Sequence, residues 1–200
     1  MNQILCAAAA PAINAALYWS ARKYAGDSAA PRRLDCPAMG VLAAGTAIEC
    51  LVVILRHSVP PEALFALCAA VVSAATDVAS GYVLDVVTLP AASFSIGASA
   101  FHGGLPFSVA GAGVCGGLLY LLYVLTRRRG IGLGDVKLAA CVGAGLGVSN
   151  GAAAAGVAFI SGGCWAAVLL LRGAPRGSEM RFAPYIAAGA LTCAAWGISA

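Results

Sequence analysis

The sequence predicts an all-α, polytopic membrane protein of about eight transmembrane helices, with both termini on the extracytoplasmic side. Three observations support this fold class: hydrophobic residues are 61% of the 200, charged residues are only 10%, and the mean hydropathy is +0.89. Soluble domains carry about 25% charged residues, so this composition cannot cover a water-facing surface. The 25 glycines fit membrane helices, where small residues let backbones approach closely.

Apolar segments of about 16–21 residues, long enough or nearly long enough to span a bilayer, occur along the whole chain. They cover residues 2–21, 37–55, 62–80, 84–101, 106–126, 134–149, 151–171 and 182–199. The first segment lacks the positively charged start of a secretory signal, so we expect a retained helix. Because the connections are short, we expect one membrane-embedded domain over residues 1–200, with the first two helices in 1–60 and the helical core in 61–200.

The basic residues predict the orientation of the helices. If the N-terminus is outside the cytoplasm, Arg56 is the one basic residue on the outer side, as the positive-inside rule favours. Anionic lipid headgroups at the inner surface then account for the net charge of +4, and no nucleic-acid partner is expected. The basic residues expected on the cytoplasmic side are Arg22, Lys23, Arg32, Arg33, Arg127, Arg128, Arg129, Lys137, Arg172, Arg176 and Arg181.

The cysteines do not indicate a disulfide framework or a metal site. They lie at positions 6, 36, 50, 68, 115, 141, 164 and 193, and no two form a CxxC pair. Most fall inside apolar segments, where cysteine behaves as a small hydrophobic residue. We therefore expect neither a zinc site nor any other cofactor.

Two carboxylates, Asp77 and Asp135, stand at the edges of apolar segments in a chain with only eight acidic residues. A carboxylate at the centre of a membrane helix costs roughly 2.5–3.5 kcal/mol, which favours a functional role over packing. In the predicted topology both lie near the cytoplasmic ends of their helices, so they can meet. Two adjacent carboxylates share one proton. One could then take a proton from water attacking a peptide carbonyl, while the other donates to the carbonyl oxygen or the leaving amine.

The residues around Asp135 suggest how a substrate would reach it. Gly132 and Gly134 allow close backbone approach, so an extended substrate could lie alongside the carboxylate, although Gly-rich turns with an Asp cap also open many helices. Lys137 is not expected on the same helix face, and its interpreted role is to reach headgroups or to tune the local field. Asp85 is the alternative to Asp77 as the first carboxylate. The favoured interpretation, however, is that Asp85 caps the N-terminus of the fourth predicted helix.

Three stretches of the chain resemble motifs of one family, the type IV prepilin peptidases, which are A24-type aspartic proteases. Residues 132–140, GLGDVKLAA, resemble the family's GxGDxKLxA signature. Asp77, followed by Asp85 and by the Thr-Leu-Pro of residues 88–90, resembles its first catalytic motif. Residues 181–190 are similar to the PFGPFLALGA stretch near its last helix. The motifs occur in the family's order along the chain.

This resemblance implies a multi-pass inner-membrane endopeptidase that cleaves the short leader of prepilin-like precursors at the cytoplasmic face, without a metal. It also implies roles for particular residues: catalysis by Asp77 and Asp135, support of the site by Gly132, Gly134 and Lys137, and Asp85 as the fallback carboxylate. The implied partners are the membrane-anchored precursor and the surrounding lipids.

The chain departs from the family in two places. Longer members carry a cytoplasmic loop with paired CxxC motifs, thought to bind zinc, and also N-methylate the new amino terminus. Here that loop is only about residues 22–36 and contains one cysteine, Cys36, so zinc is not expected and methylation stays open. Residues 78–84 replace the basic and proline residues that usually follow the first aspartate, which is why Asp85 is kept as a fallback.

Two other functions are compatible with buried carboxylates. Another GxGD-type intramembrane protease, of the presenilin or signal-peptide-peptidase kind, would carry a Tyr-Asp and a Pro-Ala-Leu motif that are absent here. A small proton-coupled transporter could use Asp77, Asp135 and Glu49 as a relay, but it would place carboxylates along a path through the membrane. We expect Glu49 to be protonated or hydrogen-bonded between helices, and Asn14 to bond a neighbouring helix.

Overall fold

The computed structural model describes residues 3–26, 36–55, 59–127, 130–173 and 180–197, and these form helices joined by short turns, with no strand among them. The predicted all-α class is confirmed. The described helices are α1 (Gln3–Gly26), α2 (Cys36–Leu55), α3 (Pro61–Ser80), α4 (Asp85–Phe101), α5 (Leu105–Leu125), α6 (Leu133–Leu171) and α7 (Ala183–Trp196).

Helix α6 folds back on itself at Gly147, which has φ 76° and ψ −180°, a conformation that favours glycine. A Cβ placed on Gly151 would lie 3.0 Å from the Cα of Gly143. Residues this far apart in a straight helix are separated by about 12 Å, so the chain must reverse between them. Element α6 therefore consists of two antiparallel helical halves, which correspond to the predicted spans at 134–149 and 151–171.

Four of the described helices are long and apolar enough to cross a membrane. A fifth apolar helix, α4, is shorter at 17 residues. Much of the apolar surface of the outer helices faces away from the bundle, as lipid contact requires, with Leu51, Phe107 and Leu121 more than half exposed. The four candidate spans are Pro37–Leu55, Pro61–Ser80, Leu105–Leu125 and Leu133–Leu171.

Helix α3 is the central element of the bundle, and nearly all of its side chains between Ala63 and Asp77 are buried. It begins with a proline at its first position, where the missing N–H is not needed. It ends at Gly81, whose left-handed φ of 75° lets its N–H bond the carbonyl of Asp77 at 2.8 Å. The last turn of α3 is thus fixed around Asp77.

One end of the bundle brings together the C-terminal end of α3 and the N-terminal ends of α4, α6 and α7. The guanidinium of Arg181, just before α7, donates to the carbonyl of Val78 in α3. Lys137 in the first turns of α6 binds Asp85 at the start of α4, at 2.6 Å. We call this the site end. At the opposite end, the N-terminus of α3 meets the later turns of α4, where the Ser95 hydroxyl donates to a backbone carbonyl in the first turn of α3 at 2.8 Å.

The described basic residues gather at the site end, as the sequence predicts for one side of the membrane. The packing of α1, α5 and the second half of α6 places their C-terminal ends there. Arg56, the one basic residue expected on the other side, lies outside the described residues, as do Arg32, Arg33, Arg128, Arg129 and Arg176 and the side chain of Arg22. The described basic residues at the site end are Lys23, Arg127, Lys137, Arg172 and Arg181.

A buried polar network ties the first three helices together. Glu49 of α2 is fully buried, and its carboxylate accepts from the Asn14 amide of α1 at 2.8 Å and from the Cys68 thiol of α3 at 3.0 Å. The Asn14 amide also donates to the Thr46 hydroxyl at 3.1 Å. The predicted inter-helix bond of Asn14 and the hydrogen-bonded interpretation of Glu49 are confirmed. The contribution of Cys68 was not predicted.

Candidate active site

Asp77 lies in the last turn of α3 and is only 5% exposed. Its Oδ2 accepts the backbone N–H of Ala183, the first residue of α7, at 3.3 Å. The first N–H groups of a helix have no partner within the helix and carry its positive dipole end. The start of α7 therefore satisfies and orients the Asp77 carboxylate.

Asp135 is the third residue of α6 and is 9% exposed. Its Oδ2 accepts the N–H of Gly132, the N-cap residue, at 3.3 Å. An acidic side chain at this position commonly reaches back to the N-cap N–H, so the carboxylate also helps to cap the helix. This bond uses one carboxylate oxygen and leaves the other for chemistry.

The two aspartates lie at the same end of the bundle because α3 and the first half of α6 run antiparallel. At the opposite end, a Cβ on Gly145 would meet the side chain of Ala66, near the start of α3. At the site end, α6 begins beside the residues that follow α3, since a Cβ on Gly134 would lie 2.8 Å from the Cβ of Val83. The structure thus places both carboxylates at the same end of the bundle, as the sequence predicts.

The glycines before Asp135 allow close packing of the α3–α4 connection. A Cβ on Gly134 would lie 2.8 Å from the Cβ of Val83, and one on Gly132 would lie 3.3 Å from the Asp135 Oδ2. The expectation that these glycines leave room for a substrate is wrong for Gly134, because Val83 fills that space. Gly134 instead lets residues 81–84 lie directly beside the second aspartate.

Lys137 and Asp85 form an ion pair, with the Lys137 Nζ 2.8 Å from Oδ1 and 2.6 Å from Oδ2. Lys137 thus binds a carboxylate rather than headgroups, and its predicted role in tuning the local field stays a prediction. The N-cap prediction for Asp85 is wrong, because the N-cap of α4 is Leu84 and Asp85 is the first helical residue, without a side-chain capping bond. The pair is about half exposed, where ion pairs contribute roughly 0–1 kcal/mol. Its effect is to join the starts of α4 and α6, and it leaves Asp85 poorly placed for a catalytic role.

Residues 64–170 match the model of the type IV leader peptidase family. The chain belongs to this family, and the predicted resemblance is confirmed. The matched region contains all but the first three residues of α3, the Thr-Leu-Pro of residues 88–90 and the whole GxGD motif, and so both buried aspartates. A member of this family with four long apolar helices is a membrane protein.

The chain is also similar to curated relatives. Over 161 residues it is 34% identical to the prepilin leader peptidase/N-methyltransferase of Burkholderia pseudomallei, strains 1026b and K96243. The match covers 76% of this chain and 50% of each relative, so the chain spans about half the length of the curated relatives it matches. No solved structure gives a significant match.

Arg181 lies beside the candidate site, although the sequence assigned it only to the orientation charges and to the 181–190 stretch. Its guanidinium donates to the carbonyl of Val78, the residue after Asp77. The Phe182 ring packs on Phe159 of α6, with ring centroids 5.2 Å apart, which holds the segment before α7 in place. The signal available in the sequence was a basic residue two positions before a helix start.

The described side chains of this chain include no cluster of three His, Cys, Asp or Glu residues that could hold a metal ion. The side chain of Cys36, the one cysteine in the short loop between the first two helices, lies outside that description.

Proposed function

We propose that the chain is a membrane aspartic endopeptidase that cleaves the leader of prepilin-like precursors, with Asp77 and Asp135 as its catalytic residues. The observation that carries the proposal is the position of two buried carboxylates at the same end of the bundle. Membership of the type IV leader peptidase family supports the choice of peptide-bond hydrolysis. The name of the Burkholderia relatives supports the choice of a prepilin leader as the substrate.

The dyad performs hydrolysis because two adjacent carboxylates hold one proton between them. The ionised carboxylate takes a proton from water as the water oxygen bonds the peptide carbonyl carbon, and the protonated one donates to the carbonyl oxygen. The resulting tetrahedral diol collapses when the C–N bond breaks. One carboxyl group then protonates the leaving amine while the other recovers its proton from the diol. The products are an acid and an amine, and the dyad returns to its starting state.

The basic residues at the site end support a cytoplasmic location of the site. Lys137 and Arg181 lie beside the aspartates, and Lys23, Arg127 and Arg172 end helices on the same side. The positive-inside rule places such a surface in the cytoplasm. We therefore propose cleavage at the cytoplasmic face of the inner membrane, on a precursor whose short leader extends from its membrane anchor. Methylation is not part of the proposal, since the chain spans half of the bifunctional relatives.

The transporter alternative gains no support from Glu49. A relay needs Glu49 to exchange protons along a path to the aspartates, but its two oxygens are engaged by Asn14 and Cys68 among α1, α2 and α3. This network instead accounts for the buried acid as a tie between helices.

The proposal is tested by co-expressing a prepilin-like precursor with the wild type and with Asp77→Asn, Asp135→Asn and Asp85→Asn, and following the loss of the leader by its mobility shift. Asp85→Asn is the matched control, because it removes a carboxylate at the same end of the bundle. We expect cleavage by the wild type, none by the two dyad variants, and reduced cleavage by Asp85→Asn, with equal expression. Full cleavage by Asp77→Asn or Asp135→Asn would contradict the mechanism.

A further inference from the structure

Hydrogen bonding does not distinguish the two aspartates of the dyad. Each accepts one backbone N–H at 3.3 Å, Asp77 from Ala183 and Asp135 from Gly132. Each donor lies at the beginning of a helix, where the dipole favours negative charge. If one aspartate is preferentially ionised, the cause must lie in the charges around them.

The neighbouring cations do distinguish them. Lys137, two residues after Asp135, is engaged by both oxygens of Asp85, so its charge is balanced by that carboxylate. Arg181 instead donates to the neutral carbonyl of Val78, the residue after Asp77. Among the described residues, no carboxylate forms an ion pair with Arg181. The unbalanced positive charge therefore lies on the Asp77 side of the dyad.

The other titratable groups around α3 do not reverse the difference in charge between the surroundings of Asp77 and those of Asp135. Glu49 is bonded to Cys68, about two and a half turns before Asp77 on α3. Lys23 lies over the Trp19 ring, 5.5 Å from its centroid. The described titratable groups on the helices packed against α3 are Tyr18 and Lys23 of α1, Glu49 and Cys50 of α2, Asp85 and His102 of α4, Asp135, Lys137, Cys141, Cys164 and Arg172 of α6, and Tyr185 and Cys193 of α7.

We infer that Arg181 is a positioning residue that keeps Asp77 as the ionised member of the dyad and thereby sets the direction of proton transfer. An opposite charge nearby favours the ionised form of a carboxylate, and the resulting negative charge favours the protonated form of its neighbour. The role of Arg181 in proton transfer rests on the proposed function, but the ionisation of Asp77 can be measured without any substrate.

The assignment fixes which carboxylate performs each step. Asp77 accepts a proton from water as the new C–O bond forms, while Asp135 gives its proton to the carbonyl oxygen. When the C–N bond breaks, Asp77 delivers its proton to the leaving amine, and Asp135 takes one back from the diol hydroxyl. Arg181 gains and loses no proton and contacts no reacting atom, since its hydrogen bond is to the Val78 carbonyl.

Infrared titration of protein labelled with carboxyl-¹³C aspartate tests the inference directly. In Asp135→Asn protein, subtracting the spectrum of the Asp77→Asn/Asp135→Asn variant isolates the Asp77 band. We expect the ionisation of Asp77 to move to higher pH by about one unit when Arg181→Gln is added, because a neighbouring opposite charge is lost. Arg181→Lys keeps the charge and should restore most of the shift. The matched control is Arg172→Gln, which removes an exposed charge from the same end and should leave the band unmoved.

A pH profile of kcat/KM on a prepilin-like precursor gives the second readout. We expect Arg181→Gln to move the acidic limb to higher pH, and Arg181→Lys to move it back. A uniform loss of rate at all pH values, with the Asp77 band unmoved, would overturn the inference and leave Arg181 as a packing residue. If the Asp77 band moves but the wild type cleaves no precursor, the charge assignment stands and the proposed function fails.

Discussion

Lys137 binds both carboxylate oxygens of Asp85, at 2.8 and 2.6 Å, and this pair joins the first turns of α6 and α4 beside the buried aspartates. Along the chain, each partner of the pair is close to one of the two buried aspartates. Asp135 lies two positions before Lys137 on α6, and residues 81–84 connect Asp85 to the last turn of α3. The ion pair therefore acts on the relative placement of the two helices that carry the dyad.

Exchanging the two charges tests this positional role. We expect Asp85→Asn and Lys137→Gln each to reduce cleavage by about two- to fivefold, since an exposed pair contributes up to about 1 kcal/mol. The double variant Asp85→Lys/Lys137→Asp restores the pair and should recover most of the rate, as measured by initial rates on a precursor. If Asp85→Asn abolishes cleavage and the exchange rescues nothing, Asp85 takes part in the chemistry.

Gly134→Ala should impair the site by displacing the α3–α4 connection. The added methyl group would lie 2.8 Å from the Val83 Cβ, and inserted atoms in a packed region typically cost about 1–3 kcal/mol. We expect lower cleavage, and partial recovery in Gly134→Ala/Val83→Ala. Gly163→Ala is the matched control, because its added Cβ has nothing within 4 Å. Equal rates for Gly134→Ala and Gly163→Ala would contradict the contact with Val83.

Gly147→Ala should destabilise the fold although its side chain has open space. A Cβ there would have nothing within 4 Å, but φ is 76°, a conformation that L-residues rarely adopt. Such strain costs about 1–3 kcal/mol, so we expect a lower melting temperature in detergent. Gly113→Ala also adds a methyl group to open space, but within the helical backbone of α5, and should leave the melting temperature nearly unchanged. Equal melting temperatures would contradict a reversal at Gly147.

The Glu49 network should tolerate glutamine better than alanine. In Glu49→Gln, the new amide can donate to the Asn14 Oδ1, which is buried without a hydrogen-bond partner among the described residues, if the Asn14 amide rotates. In Glu49→Ala, Asn14 and Cys68 both lose an acceptor, at a cost of about 1–3 kcal/mol for each buried group. Thermal unfolding of the two variants measures the difference. Equal destabilisation would mean that the network requires an ionised carboxylate.

The helical class and the placement of both aspartates at one end of the bundle were predictable, because composition and the distribution of charge can be read directly from the sequence. The apolar segments predict helices directly, and the positions of Asp77 and Asp135 at segment ends follow from their boundaries. The boundary predicted between the spans 134–149 and 151–171 falls at residue 150. The reversal lies three residues earlier, at Gly147, whose φ of 76° favours glycine.

The charge partners were not predictable, because they depend on how distant helices pack. Lys137 and Asp85 are 52 positions apart, and Arg181 and Val78 are 103 apart. Sequence position alone gives each cation a plausible role at a membrane surface. Only the shared end of α3, α4, α6 and α7 shows that one cation is neutralised by a carboxylate while the other donates to the carbonyl next to Asp77.

The central claim is that Asp77 and Asp135 act as one catalytic unit. The most direct measurement compares kcat/KM for purified wild type, Asp77→Asn, Asp135→Asn and the double variant in liposomes with a prepilin-like precursor. Residues that act as a unit have non-additive effects. We predict a loss of about a hundredfold or more for each single variant and no further loss in the double variant. Additive losses, or a single variant close to the wild-type rate, would contradict the dyad.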